Sequence, residues 1–193
     1  MILLISGTIA AGQDIIPEPP DPQSGYINLN EFTGAYGLGS TDVPYSKYFY
    51  GLTTIHGYEF NIKPFNINTG LAVGAGAGML FYGDGTIFPL FLDLRYTLNF
   101  NKISPFVFGS GGLLLNFDDL NELSKLYANA GAGLKIKISS KVALNIGPGL
   151  LVQFGKDDSR DAFVNLKAGV SFKPGARINT RESLVLRGEN LNY

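Results

Sequence analysis

From residue 26 onward, apolar and polar residues alternate along the chain with a period of two. The clearest stretch is 88–100. There Phe88, Leu90, Leu92, Leu94, Tyr96, Leu98 and Phe100 share one parity, and Pro89, Phe91, Asp93, Arg95, Thr97 and Asn99 share the other. Seven apolar residues on one parity over thirteen positions specify a strand with one oily face, because side chains alternate across a strand but repeat every ~3.6 residues around a helix. Residues 52–63 read the same way, with Leu52, Thr54, His56, Tyr58, Phe60 and Ile62 against Thr53, Gly57, Glu59, Asn61 and Lys63.

Three further stretches repeat this order, at about 125–138, 142–154 and 162–172, and three less regular ones lie at about 26–39, 67–81 and 103–117. The pattern predicts eight strands, each meeting the ~9–11 residues that a tilted membrane strand requires. Tight turns are expected after the second, fourth and sixth strands, near Pro64, Lys102 and Ser140. More polar loops are expected after the first, third, fifth and seventh, around 40–47, 83–86, 118–124 and 156–161. This is the order of an up-and-down meander with both termini on the turn side. The charges follow it: Lys63, Lys102, Lys137, Lys141 and Lys173 fall at the turn rim, and Asp42, Asp84, Asp118, Asp119, Glu122, Asp157, Asp158 and Asp161 at the loop rim.

Composition decides which face is outside. The chain has 193 residues with 45% hydrophobic, 16% charged and 25 Gly. A water-facing surface carries roughly a quarter to a third charged residues, yet the polar parity of the third segment is Gly70, Ala72, Gly74, Gly76 and Gly78. Such residues suit the crowded interior of a narrow barrel. The expected fold is therefore all-β, an eight-stranded antiparallel up-and-down transmembrane β-barrel over residues 25–173, with a soluble lipocalin-like ligand-binding barrel as an alternative. No stretch approaches the ~18 apolar residues of a spanning helix. Residues 1–12 resemble the end of a signal peptide, residues 13–24 form a Pro-rich leader, and residues 174–193 a periplasmic tail.

The segments GLTTIHGYEFNIKPFNINTGLAVGAGAG and PLFLDLRYTLNFNKISPFVFGSGG carry a resemblance. The Gly57-Tyr58 pair before a turn, the Gly-alternating third strand, and the strand from Pro89 to Tyr96 with its inward Arg95 are similar to the outer-membrane β-barrel domain family. These are the small "porin family" barrels, related in architecture to the OmpA membrane domain. The resemblance spans about residues 25–173. It implies an eight-stranded barrel in the bacterial outer membrane and no particular chemistry, since "porin" there is a label rather than demonstrated transport.

Candidate chemistry is sparse. There is no Cys and one His, and the net charge is −1. Thiolate sites, the usual zinc sets and a nucleic-acid footprint are thereby disfavoured, and neither a cofactor nor a metal is expected. With the polar parity inside, Glu31, Glu59, Asp93, Arg95, Lys135 and Lys167 face the lumen. Buried charges persist only when paired, so a network across the lumen is expected, either as a structural plug or as a gate. The outward parity of residues 88–100, Phe88 to Phe100, is expected to face lipid. His56, beside Thr54, raises a lipid-acting hydrolase, but no Ser and acid partner accompanies it, and no catalytic residue is assigned. The acidic loops lack EF-hand spacing. Beyond the last strand, Arg177, Arg181, Leu184, Val185, Leu186 and Arg187 would tether a partner, or the segment is a frayed tail.

The expected function is non-enzymatic: a structural outer-membrane barrel or an accessory subunit of a larger assembly. It would contact outer-membrane lipid and lipopolysaccharide, other outer-membrane or periplasmic proteins, and no nucleic acid, with both termini periplasmic. A narrow channel for ions or small solutes is the alternative.

Overall fold

Period-two patterning becomes eight strands in the computed structural model, which describes residues 24–38, 47–64, 67–83, 85–100, 102–116, 125–154 and 160–174. The strands are β1 (Gly25–Leu38), β2 (Tyr48–Ile62), β3 (Thr69–Tyr82), β4 (Gly85–Leu98), β5 (Ile103–Leu115), β6 (Lys125–Lys137), β7 (Val142–Phe154) and β8 (Arg160–Phe172). Each pairs antiparallel with the next, and β8 returns to β1 to close the barrel. Closure leaves no free edge, so each strand pairs with a neighbour on both sides within the wall, the condition for crossing hydrocarbon with strands.

Two connections differ from expectation. Tyr82 pairs with Gly85, so β3 and β4 are separated by two residues rather than a polar loop over 83–86. Gly83 and Gly85 tolerate so tight a reversal. Conversely, β2 and β3 are joined by six residues, 63–68, rather than a tight turn. Pro64 has no N–H with which to extend the ladder, and its carbonyl instead accepts from the Ile67 N–H at 3.0 Å. The fourth strand also runs earlier than residues 88–100. It ends at Leu98, and Phe100 lies in the following turn, where its N–H is donated to the Ser104 hydroxyl at 3.1 Å.

The outward wall is apolar, with Leu90, Leu92, Leu94 and Tyr96 exposed, Phe88 and Leu98 half-buried and Phe100 exposed beyond the strand. Exposed tyrosines mark its two ends. Tyr26, Tyr58 and Tyr96 lie toward the rim carrying the chain ends of the barrel, and Tyr36, Tyr48 and Tyr50 toward the opposite rim. Tyr26 and Tyr36 are ten residues apart on β1, which at ~3.4 Å per residue and a ~40° tilt separates the two belts by about 25 Å, the height of a membrane barrel's apolar band.

Candidate functional site in the lumen

Inward positions are not uniformly polar, which corrects the expectation of one polar inner face. Toward the rim opposite the chain ends, the lumen is filled by Phe49, Leu80, Tyr82, Ile87, Phe91, Leu114, Tyr127, Leu151 and Phe163, all buried. Phe49 stacks obliquely on Tyr82 at 4.9 Å between ring centroids and meets Phe163 edge-on at 5.3 Å. Gly76 makes room for this layer: a Cβ there would lie 2.4 Å from the Phe91 ring. Above the aromatic layer Gln153 donates to the Tyr82 hydroxyl at 2.6 Å, and Lys125 pairs with Asp161 at 3.4 Å.

Charged residues occupy the middle and the other end. Arg95 on β4 is gripped from two sides. Its Nη1 and Nη2 donate to the two carboxylate oxygens of Glu31 on β1, each at 2.9 Å, and its Nε donates to Asp93 at 2.7 Å. Lys167 on β8 reaches the same Glu31 carboxylate at 3.4 Å. Two acids and two bases thus form one neutral, buried cluster spanning the lumen from β4 to β1 and β8. The guanidinium lies 5.7 Å and 5.6 Å from the Phe106 and Phe108 ring centroids, and the Lys167 ammonium 4.9 Å from Phe108. Both cations therefore face π-clouds as well as carboxylates. The Phe108 ring in turn needs Gly131 opposite, where a Cβ would come within 2.7 Å of it.

Nearer the rim of the chain ends, Glu59 on β2 accepts from Lys135 on β6 at 3.0 Å and from Lys173 at 3.2 Å. The six residues proposed for a lumen network therefore divide. Glu31, Asp93, Arg95 and Lys167 come together at mid-height, and Glu59 with Lys135 forms a separate bridge. Lys173, expected at the turn rim, and Asp161, expected in a loop, both pair inside. Each shares the inward parity of β8, Lys173 with Ser171 and Asp161 with Asn165, and that was the signal available.

Between the layers, Asn165 donates to Asn129 at 3.0 Å. A cavity of about 20 Å³ lies among Thr33, Thr53, Phe91, Tyr127, Asn129 and Lys167, which is space for about one water molecule.

On the outer wall His56 touches Tyr26, Thr54 and Asn28. No group of His, Cys, Asp and Glu that could hold a metal occurs among the described residues. Arg177, Arg181, Leu184, Val185, Leu186 and Arg187 lie outside the described residues, as do residues 1–23 and the acidic loop segments 118–124 and 155–159.

No family model and no curated protein matches the chain. Solved structures do. Neisserial surface protein A superposes with a TM-score of 0.51 at 11% identity, over 78% of this chain and 99% of that one. The N-terminal β-barrel domain of Pseudomonas aeruginosa OprF gives 0.42 at 21% identity, over 78% and 100%. The outer membrane enzyme PagL gives 0.41 at 13% identity, over 72% and 97%. The likeness is one of fold: the chain has the architecture of the small outer-membrane barrels.

Proposed function

We propose that this chain is a non-enzymatic bacterial outer-membrane barrel with a closed lumen, serving as a structural element or as an accessory subunit of a larger outer-membrane assembly. Both termini would then be periplasmic, and lipid, lipopolysaccharide and neighbouring proteins would meet its outer wall and rims. The observation that carries this reading is the filled cross-section at mid-height. There Arg95 bridges to Glu31 and Asp93 beneath an aromatic layer, and the cavity beside them has room for about one water. An eight-stranded barrel is just wide enough for side chains to fill it. With the interior filled, the remaining surfaces for function are external.

Mild-detergent extraction of native membranes, followed by native sizing and identification of co-migrating chains, tests the accessory role. The expected result is a species well above the 20.8 kDa of one chain. Migration as a lone barrel would overturn it. In the channel reading, the Glu31–Arg95 bridge is the contact that would have to open.

A further inference from the structure

The outward wall carries an island of polarity. Between the two tyrosine belts, every outward strand position is apolar or glycine except four: Asn28 and Asn30 on β1, and Thr54 and His56 on β2. Register gathers them into one block, because Asn28 pairs with His56 and Asn30 with Thr54. Its neighbours are apolar on both sides. Phe172 and Val170 of β8 lie beside Asn28 and Asn30, and Ala75 and Ala77 of β3 beside His56 and Thr54.

The four are linked among themselves. Asn30 donates to Asn28 Oδ1 at 2.7 Å, Asn28 Nδ2 reaches the Thr54 hydroxyl at 3.3 Å, Thr54 lies 3.4 Å from His56 Nε2, and Tyr26 hydrogen-bonds to His56 Nδ1. The Asn30 carbonyl oxygen at the end of this chain has no partner among the described residues, and Asn30 itself is exposed. Lipid headgroups are out of reach. Asn30 lies four residues above Tyr26, roughly 10 Å inside the belt at ~3.4 Å per residue and ~40° tilt. Acyl chains offer no hydrogen bond there, so polar side chains at this depth mark contacts with other protein.

We propose that this wall is the interface between two copies of the chain, related by a two-fold axis beside Asn30. An amide is its own complement, donor and acceptor together, so two Asn30 side chains facing each other satisfy the free carbonyl reciprocally, as an isologous contact requires. The island contains no carboxylate, lysine or arginine. The surface is also shaped for contact. A groove of about 590 Å³, with Phe32, Leu52, Ala77 and Ala168 in its lining, runs beside Asn30 and Thr54. The inference rests on the membrane placement and not on the closed lumen.

The chain has no cysteine, so single-cysteine variants report cleanly. Asn30→Cys, oxidised both in native membranes and in vesicles holding the purified full chain, should cross-link to twice the monomer mass, whereas Val107→Cys on the far wall should not. Asn28→Leu with Asn30→Leu should weaken dimerisation about tenfold while heat-modifiable gel mobility stays that of a folded barrel. A cross-link from position 30 to a chain of different mass, or a monomer in both settings, overturns the proposal. Vesicle flotation checks the membrane placement separately: a chain that fails to float contradicts the barrel's location rather than its pairing.

Discussion

The two halves of the lumen fill the same barrel by opposite means. Toward one rim Phe49, Tyr82 and Phe163 pack as rings, and at mid-height Arg95, Glu31, Asp93 and Lys167 interlock as charges. Packed rings are tolerant, since losing one removes only the contacts it made and leaves a void. A buried charge cluster is all-or-none, because each charge is held only by its opposites and removing one strands the rest. The difference teaches that the charged layer confers geometric specificity, and that the aromatic layer supplies apolar bulk with less dependence on any one contact.

The largest break comes from Arg95→Leu. It leaves the Glu31 and Asp93 carboxylates buried with Lys167 alone, and should destabilise the barrel by about 4 kcal/mol, at the scale of a broken buried ion pair. Urea titration of the folded, heat-modifiable form in vesicles reads this. A smaller loss, about 3 kcal/mol, is expected for Phe163→Ala, where the cost is a cavity rather than a stranded charge. If Phe163→Ala proves as damaging as Arg95→Leu and also collapses cooperativity, the contrast between the layers fails.

Glu59→Gln removes a buried carboxylate near the rim, but its partners Lys135 and Lys173 keep part of their side chains exposed and can turn toward water. A loss of about 2 kcal/mol, below that of a fully buried pair, is expected in the same titration. The sharpest form of the comparison has the smallest expected effect. Replacing all four members of the cluster together, Glu31→Met, Asp93→Leu, Arg95→Met and Lys167→Met, should leave stability within about 1 kcal/mol of the parent, since apolar residues of similar volume replace a buried ion cluster at little cost. A loss equal to that of Arg95→Leu alone would show that the charges stabilise the barrel outright.

Strand number, closure and the oily outer face were legible because alternation is strict where the wall meets lipid, as from Phe88 to Leu98. The interior was less legible because two packing solutions share one parity: Phe91, Asp93 and Arg95 are consecutive inward residues of β4, one belonging to the aromatic layer and two to the charge cluster. Nothing local to β4 states where the change occurs. It is set by what β1, β6 and β8 bring to the same height. The Glu31–Arg95 bridge joins residues 64 apart, and the Glu31–Lys167 bridge residues 136 apart. Parity alone could have moved Lys173 and Asp161 inside. It could not have assembled the polar island, because β1 carries apolar residues on both parities, with Phe32 and Tyr36 outward and Ile27 and Leu29 inward. Only the β1–β2 register sets Asn28 against His56.

The central claim is that the charge cluster and the aromatic layer together seal the barrel, and planar-bilayer conductance tests it most directly. The account predicts no reproducible current steps from the parent chain or from Arg95→Ala alone, where the aromatic layer still fills the lumen, and small discrete steps only when Arg95→Ala is joined to Phe49→Ala and Phe163→Ala. Reproducible steps from the parent chain would contradict it.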